Sequence, residues 1–254
     1  MLSYRAIYVI VSREFKRFFR QKGRFVVSIA RPLIWLFIVG SGFTRLIDVS
    51  SGAHYIEFIL PGIVGMTILF SSIFSTISVV WDREFGFLRE MLVSPVSRVT
   101  IVLGKLLSGT ALAVFQGTIL LFIAPVVGLD VGLVDFVVMI LLMTLVAFAI
   151  TSLGLLVASL LTSLEGFNVI MNFIVLPMFF LSGALYPIDA LPAPIRLFSF
   201  INPLCYGVDS FKHILLPVGG RLAAELPLVT DIVFVGVFGL VMTFMSALSF
   251  EKRK

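Results

Sequence analysis

Long apolar runs alternate with short polar breaks along this chain. The runs cover 25–43, 58–80, 99–127, 133–161, 167–185 and 231–250. A helix that crosses a bilayer needs ~20 mostly apolar residues, so the pattern predicts six transmembrane helices. The second span carries Gly62, Gly65, Thr67, Ser71, Ser72, Ser75, Thr76 and Ser78. Small residues let helices approach closely in lipid, so this span is expected inside the bundle, although the same residues could line a pathway. Arg31 interrupts the first span and is followed by Pro32. Its stem is long enough to snorkel to the headgroups, and a functional arginine is the other reading of an intramembrane charge.

Two stretches break the lipid-adapted pattern by being amphipathic. In 1–24, Tyr4, Tyr8, Val11, Phe15, Phe18 and Phe19 recur at helical spacing beside a basic face that includes Arg13, Lys16, Arg17 and Arg20. That combination predicts a helix lying in the membrane interface. It fits better than the n-region of a signal peptide, since the charged part is long and no A-x-A-like site follows. The second stretch is WDREFGFLREMLVSPVSR, from Trp81 to Arg98. Trp81, Phe85, Leu88 and Leu92 fall at i, i+4, i+7 and i+11, a helical stripe. Pro95 stops it, because the residue before a proline is pushed out of the helical region. The spacing predicts a helix over 81–95. Phe87 and Met91 lie off the stripe and give more apolar surface than one buried face needs. Docking into a partner's groove therefore competes with simple cover of the bundle.

Residues 183–220 have another texture. Gly183, Pro187, Pro192, Pro194, Pro203, Pro217, Gly219 and Gly220 cut them into pieces too short to span. Broken helices at membrane depth need protein or a watery cavity around the freed backbone groups. Short re-entrant helices on the outer side are expected.

Composition turns this pattern into a class. Of the 254 residues, 59% are hydrophobic and 13% charged, about half the charge of a soluble domain. The fold class is all-α integral membrane, one domain over 1–254. Fourteen basic residues fall in the N-terminal helix, the 81–105 region and the tail, against four (Arg45, Arg196, Lys212, Arg221) on the opposite side. The positive-inside rule then puts both termini and the 81–95 stretch in the cytoplasm. Cys205 is the single cysteine and His54 and His213 are the two histidines, so neither a disulfide nor a Cys/His metal cluster is expected. No basic patch sits on a soluble body, which excludes nucleic acid as a partner. No G-x-x-x-x-G-K-[ST] phosphate loop occurs, so ATP chemistry of that kind must come from another polypeptide. No Ser-His-Asp or paired-carboxylate arrangement points to a reaction, so the chain is not read as an enzyme.

WDREFGFLREMLVSPVSR, followed by FLSGALYPIDALPAPIRLFSFINPLCYGVDSFK from Phe180 to Lys212, resembles the ABC-2 type export permeases of bacteria. The likeness covers nearly the whole chain. It implies a six-span half-transporter of the inner membrane that pairs with a second permease chain, expected to be identical, and sits on two copies of an ABC ATP-binding subunit. ATP and Mg would bind that partner, with no cofactor in this chain. The 81–95 helix would be the coupling helix, with Glu84, Phe85, Phe87, Arg89, Glu90 and Met91 touching the ATPase. Arg13, Lys16, Arg17 and Arg20 of the N-terminal helix would flank the contact. The short outer loop between the first two spans departs from family members with large exterior domains. Tyr and Trp, which glycan carriers would use to line a route, are few, so an amphiphilic drug-like, lipid or lipid-linked cargo is expected ahead of a glycan. A non-transporting membrane scaffold is the alternative from another class.

Overall fold

The computed structural model describes residues 3–44, 55–86, 97–216 and 223–252. Among them every regular element is helical: α1 (Tyr4–Arg20), α2 (Lys22–Thr44), α3 (Tyr55–Glu84), α4 (Arg98–Leu121), α5 (Leu133–Leu160), α6 (Leu164–Phe180), α7 (Ala193–Ile201), α8 (Pro203–Leu215) and α9 (Leu228–Lys252). Short 3-10 turns occupy Ala124–Val127 and Ile188–Ala190.

Helix α3 is the hub, packing against α2, α4, α5, α6 and α8. Thirty residues at ~1.5 Å each make a rod of about 45 Å, longer than the hydrocarbon core. Its small residues let neighbours come close. Ile63, Ile68 and Ile73 are fully buried, and a Cβ on Gly62 would lie 2.6 Å from Ala184 Cα. Gly109 of α4 faces Ser75 in the same way, where a Cβ would lie 2.7 Å from Thr151 Cγ2 of α5. The small-residue stripe is thus a packing surface along most of the helix. Helices α5, α8 and α9 close the bundle on one side, while α2 and α9 turn most of their surface outward.

Among the described residues five helices are long and apolar enough to cross a bilayer: α2, α3, α4, α5 and α9. Helix α6 has seventeen residues, about 25 Å at ~1.5 Å per residue, short of the ~30 Å hydrocarbon core. The expected fifth span to Leu185 ends at Phe180, where Leu181 to Tyr186 turn and Gly183 takes φ 72°. The third span likewise ends at Leu121, and the 3-10 turn closes on Gly128 at φ 94°.

The proline-punctuated segment forms two real helices. Asn202 separates them: its side chain accepts the N–H of Leu204 at 3.0 Å and donates to Met178 O of α6 at 2.7 Å. Pro203 opens α8, where a missing N–H costs nothing. Leu204, Cys205, Val208 and Phe211 are fully buried, so α8 is a core element rather than a surface cap. Positions 217–220 of this segment lie outside the described residues.

Candidate functional site

Helix α1 buries one stripe, Ile10, Glu14 and Phe18, spaced four residues apart so that they share a face. Ile10 sits against Gly104 of α4. Ser3 caps the helix by accepting the Ala6 N–H, and Arg17 and Arg20 occupy the last turn, where the helix dipole favours cations. Tyr4 and Tyr8 point away from the protein and are mostly exposed. That leaves an aromatic edge free for lipid.

Glu14 is the only acid in this helix, and it is buried. Lys105 of α4 explains why. Its Nζ donates to Glu14 Oε1 at 2.7 Å, to Asp82 Oδ2 of α3 at 2.6 Å and to Ser78 Oγ at 3.0 Å. All three ammonium donors are therefore used. Arg13 closes the ring, with Nη2 2.8 Å from Asp82 Oδ2 and 2.9 Å from Glu14 Oε1. Two cations and two anions joining three helices leave no net charge. Burial alone would raise the Glu14 carboxyl, but Lys105, with Arg13, holds it below the usual carboxylate value. Burial likewise pulls on Arg13, and Asp82 and Glu14 more than offset it, so its pKa lies above the ordinary value. A buried ion group is weak evidence for stability but strongly resists the loss of one member. The ring therefore fixes how α1, α3 and α4 sit together.

Just beyond the ring, the expected helix from Trp81 is corrected. Trp81 to Glu84 are the last turn of α3 rather than the first turn of a new helix. The chain then turns at Phe85 and Gly86, and Gly86 takes φ 79°, a left-handed conformation that glycine adopts at little cost. A single rod over 81–95 is excluded by that break. Of the residues expected to face a partner, Glu84 and Phe85 are exposed at this corner. Phe87, Arg89, Glu90 and Met91 lie outside the described residues. Glu84 also has a partner within the chain, since its Oε2 accepts the Leu164 N–H at the start of α6 at 3.3 Å. Arg83 donates to Ser159 O at 3.1 Å and to Leu161 O at the end of α5. The corner is thus tied to both ends of the α5–α6 turn.

The basic residues expected together on α1 part company. Lys16 and Arg20 are exposed. Arg13 belongs to the ring, and Arg17 lies 5.5 Å above the Trp81 ring. Trp81 in turn stacks on Phe85 at 5.0 Å.

Beside the ring, α1, α2, α3, α4 and α6 enclose a cavity of about 410 Å³, within the size range of small-molecule sites. Met66, Phe70, Phe74 and Trp81 of α3 supply an apolar wall, and Gln116 and Asn168 add amides. Gln116 Nε2 donates to Ser71 Oγ, which orients the amide. Arg31 lies 5.3 Å over the Phe70 ring and lines this cavity. The Arg31 head lies over an aromatic face of the neighbouring helix.

A second polar group joins α8 to α9. Asp209, His213 and Asp231 bring possible ligand atoms within 4.8 Å of one another. Asp209 already accepts the N–H groups of Glu225 and Leu226 at 2.8–3.1 Å, and His213 Nε2 lies 2.7 Å from Leu226 O. Glu225 in turn accepts the Ile188 N–H at 2.7 Å. These groups fasten the chain before α9 onto α8 and the turn at Ile188.

Sequence reasoning missed the ring. In the sequence Ser78 is one of the small residues of the second span, Asp82 belongs to the charged stretch that follows it, and Lys105 counts only among the basic residues of the 81–105 region. A lone acid on the apolar side of an otherwise cationic amphipathic helix was the available signal.

The model of the ABC-2 type transporter family matches residues 5–216, from α1 through α8. The chain is 31% identical over 206 residues to Nodulation protein J of Rhizobium meliloti, covering 74% of this chain and 72% of that protein. It is 28% identical over 214 residues to the transport permease ycf38 of Cyanophora paradoxa, covering 82% and 73%. With the inner membrane transport permease YadH of Escherichia coli it shares 26% identity over 251 residues, 95% of this chain and 91% of YadH.

Proposed function

The chain belongs to the ABC-2 type transporter family, and from that premise we propose that it is the membrane permease of an exporter driven by a separate ATP-binding subunit. Two such subunits bind ATP and Mg, and two permease chains form the route between them. Each chain crosses a bacterial inner membrane six times, with α6 as the fifth crossing and both termini in the cytoplasm. Helix α7 caps the outer side, with α8 buried behind it. The cargo is an amphiphilic drug-like, lipid or lipid-linked molecule.

The observation that carries this reading is the ring of Arg13, Glu14, Asp82 and Lys105. It joins the amphipathic α1 to the end of α3 immediately before the 85–97 connection. A push on that connection reaches α1, α3 and α4 as one unit. Residues Glu84, Phe85, Phe87, Arg89, Glu90 and Met91 are the proposed contact with the ATPase, and the exposed Lys16 and Arg20 of α1 flank it. Arg13 and Arg17 act from inside the fold, through the ring and Trp81.

Affinity purification in mild detergent tests the partnership. An ATP-binding subunit should co-elute in equal number with the permease and hydrolyse ATP faster in its presence. Permease that never retains such a subunit would favour the scaffold reading instead.

A further inference from the structure

Among the described residues, the cavity beside the ring has a charge sign that its surroundings do not balance. Arg17 and Arg31 are the charged residues among those described that line it. Among the described residues neither forms an ion pair or a hydrogen bond to an acid. The nearby carboxylates Glu14 and Asp82 are already committed to Arg13 and Lys105. Arg31 also lies within the apolar stretch of α2 from Phe25 to Gly42, where an uncompensated charge is costly and marks a function by default.

Each guanidinium rests on an aromatic face, Arg17 on Trp81 and Arg31 on Phe70. Stacking of this kind leaves the planar N–H donors free at their edges, in the fork that matches carboxylate and phosphate oxygens. The rest of the wall is largely apolar, with Met66, Phe70 and Phe74 continuing from the arginines along α3. A soluble anion would satisfy the arginines and leave this wall unfilled. A neutral amphiphile would do the reverse.

We infer that the cavity seats an anionic amphiphile, its charged head between Arg17 and Arg31 and its apolar tail along α3. The inference rests on the permease reading and gives its cargo a charge. Head groups of the phosphate monoester or carboxylate kind satisfy both arginines.

Trp81 lines the cavity and Trp35 does not, and they are the only two tryptophans. The full chain carrying Trp35→Phe, in phosphatidylcholine nanodiscs, therefore reports on the site by its own fluorescence. The probe is lysophosphatidic acid with a brominated chain, which quenches a nearby indole. Brominated lysophosphatidylcholine, the same tail under a neutral zwitterionic head, is the control.

Saturable quenching by the anionic probe is expected, with the zwitterionic one at least about tenfold weaker, as loss of a charge-assisted hydrogen bond implies. Arg31→Gln should weaken the anionic probe by a similar factor, while Arg31→Lys, which keeps the charge, should retain more of it. Inorganic phosphate at millimolar concentration should not displace the probe. Equal or non-saturable quenching by both lipids would overturn the inference. Displacement by phosphate alone would do so too, by assigning the site to a free anion. The measurement uses neither ATP nor the ATP-binding subunit. Binding without a co-purifying ATPase would therefore sink the exporter reading alone, and co-purification without binding would sink this inference alone.

Discussion

Lys105 and Asp82 meet at 2.6 Å, between α4 and α3, with Glu14 of α1 on the other side of the same ammonium at 2.7 Å. The Lys105 side chain is almost wholly buried, so its charge is held by two carboxylates and a serine rather than by water. Removing one member of a buried ion group costs about 3–5 kcal/mol, because the others are left uncompensated. Lys105→Ala should therefore lower the melting temperature markedly in thermal unfolding followed by fluorescence. The fully neutral set Arg13→Gln, Glu14→Gln, Asp82→Asn and Lys105→Met should recover most of that loss. An unchanged melting curve for Lys105→Ala would mean that the ring contributes no rigidity.

The same ring predicts a pH response. Glu14 has a folded pKa below its ordinary value of 4.5, so the folded state holds its proton more weakly than the unfolded state. Its stabilisation is fully present above the unfolded value and is lost as pH falls through the folded one. Melting temperature should stay level in this respect from neutral pH down to about pH 5 and then decline. In Glu14→Gln the protein should start less stable and show a shallower acid decline. Identical slopes below about pH 5 in the two proteins would assign the acid response to other carboxylates.

The long apolar runs made the membrane class and the centres of α2 to α5 and α9 legible, because span length follows from bilayer thickness. The junction at Trp81 was not legible. Trp81, Phe85 and Leu88 keep a helical phase, so periodicity could not say whether α3 continued or a new helix began. What ends α3 is backbone conformation at Gly86, which carries no hydrophobic signal. The ring was hidden for a different reason. Its partners lie 69 and 91 residues apart, and local periodicity carries no signal over such separations. The contact of Arg31 with Phe70 on α3 joins residues of two different spans and leaves no periodic signal in the sequence.

Close packing of α3 against the outer turn predicts a sharp contrast between two glycines. A Cβ at Gly62 would lie 2.6 Å from Ala184 Cα and 2.7 Å from its Cβ, and backbone cannot move aside as a side-chain tip can. Gly62→Ala should therefore destabilise by about 1–3 kcal/mol, the usual range for overpacking, and reduce the yield of folded protein. Gly23, near the start of α2, has open space around it, with nothing within 4 Å of where a Cβ would stand. Gly23→Ala should be neutral or stabilise by about 0.5–1 kcal/mol through helix propensity. Comparison of detergent-extracted yield and melting temperature for the two variants checks both.

The corner at Arg83 and Glu84 predicts a separation between partner binding and coupling. Arg83 holds the end of α5 through Ser159 O and Leu161 O, and Glu84 holds the start of α6 through the Leu164 N–H. These bonds join the end of α3, where the 85–97 connection begins, to the α5–α6 turn, and α6 lines the cavity through Asn168. Arg83→Ala leaves those carbonyls without this donor, and Glu84→Ala removes an anion that favours the positive end of the α6 dipole. Each bond of this kind contributes about 1.5–3 kcal/mol when a charged group is involved, with less at the exposed Glu84. Neither variant removes the ring, so α1, α3 and α4 should stay assembled and the ATP-binding subunit should still co-purify. ATP hydrolysis by the complex should then respond less to added amphiphile in both variants, Arg83→Ala more than Glu84→Ala. The double charge swap Glu84→Lys with Arg89→Glu changes the proposed contact itself and should lower co-purification as well. Full amphiphile-stimulated hydrolysis in Arg83→Ala would show that the signal bypasses α5 and α6 and travels through the ring alone.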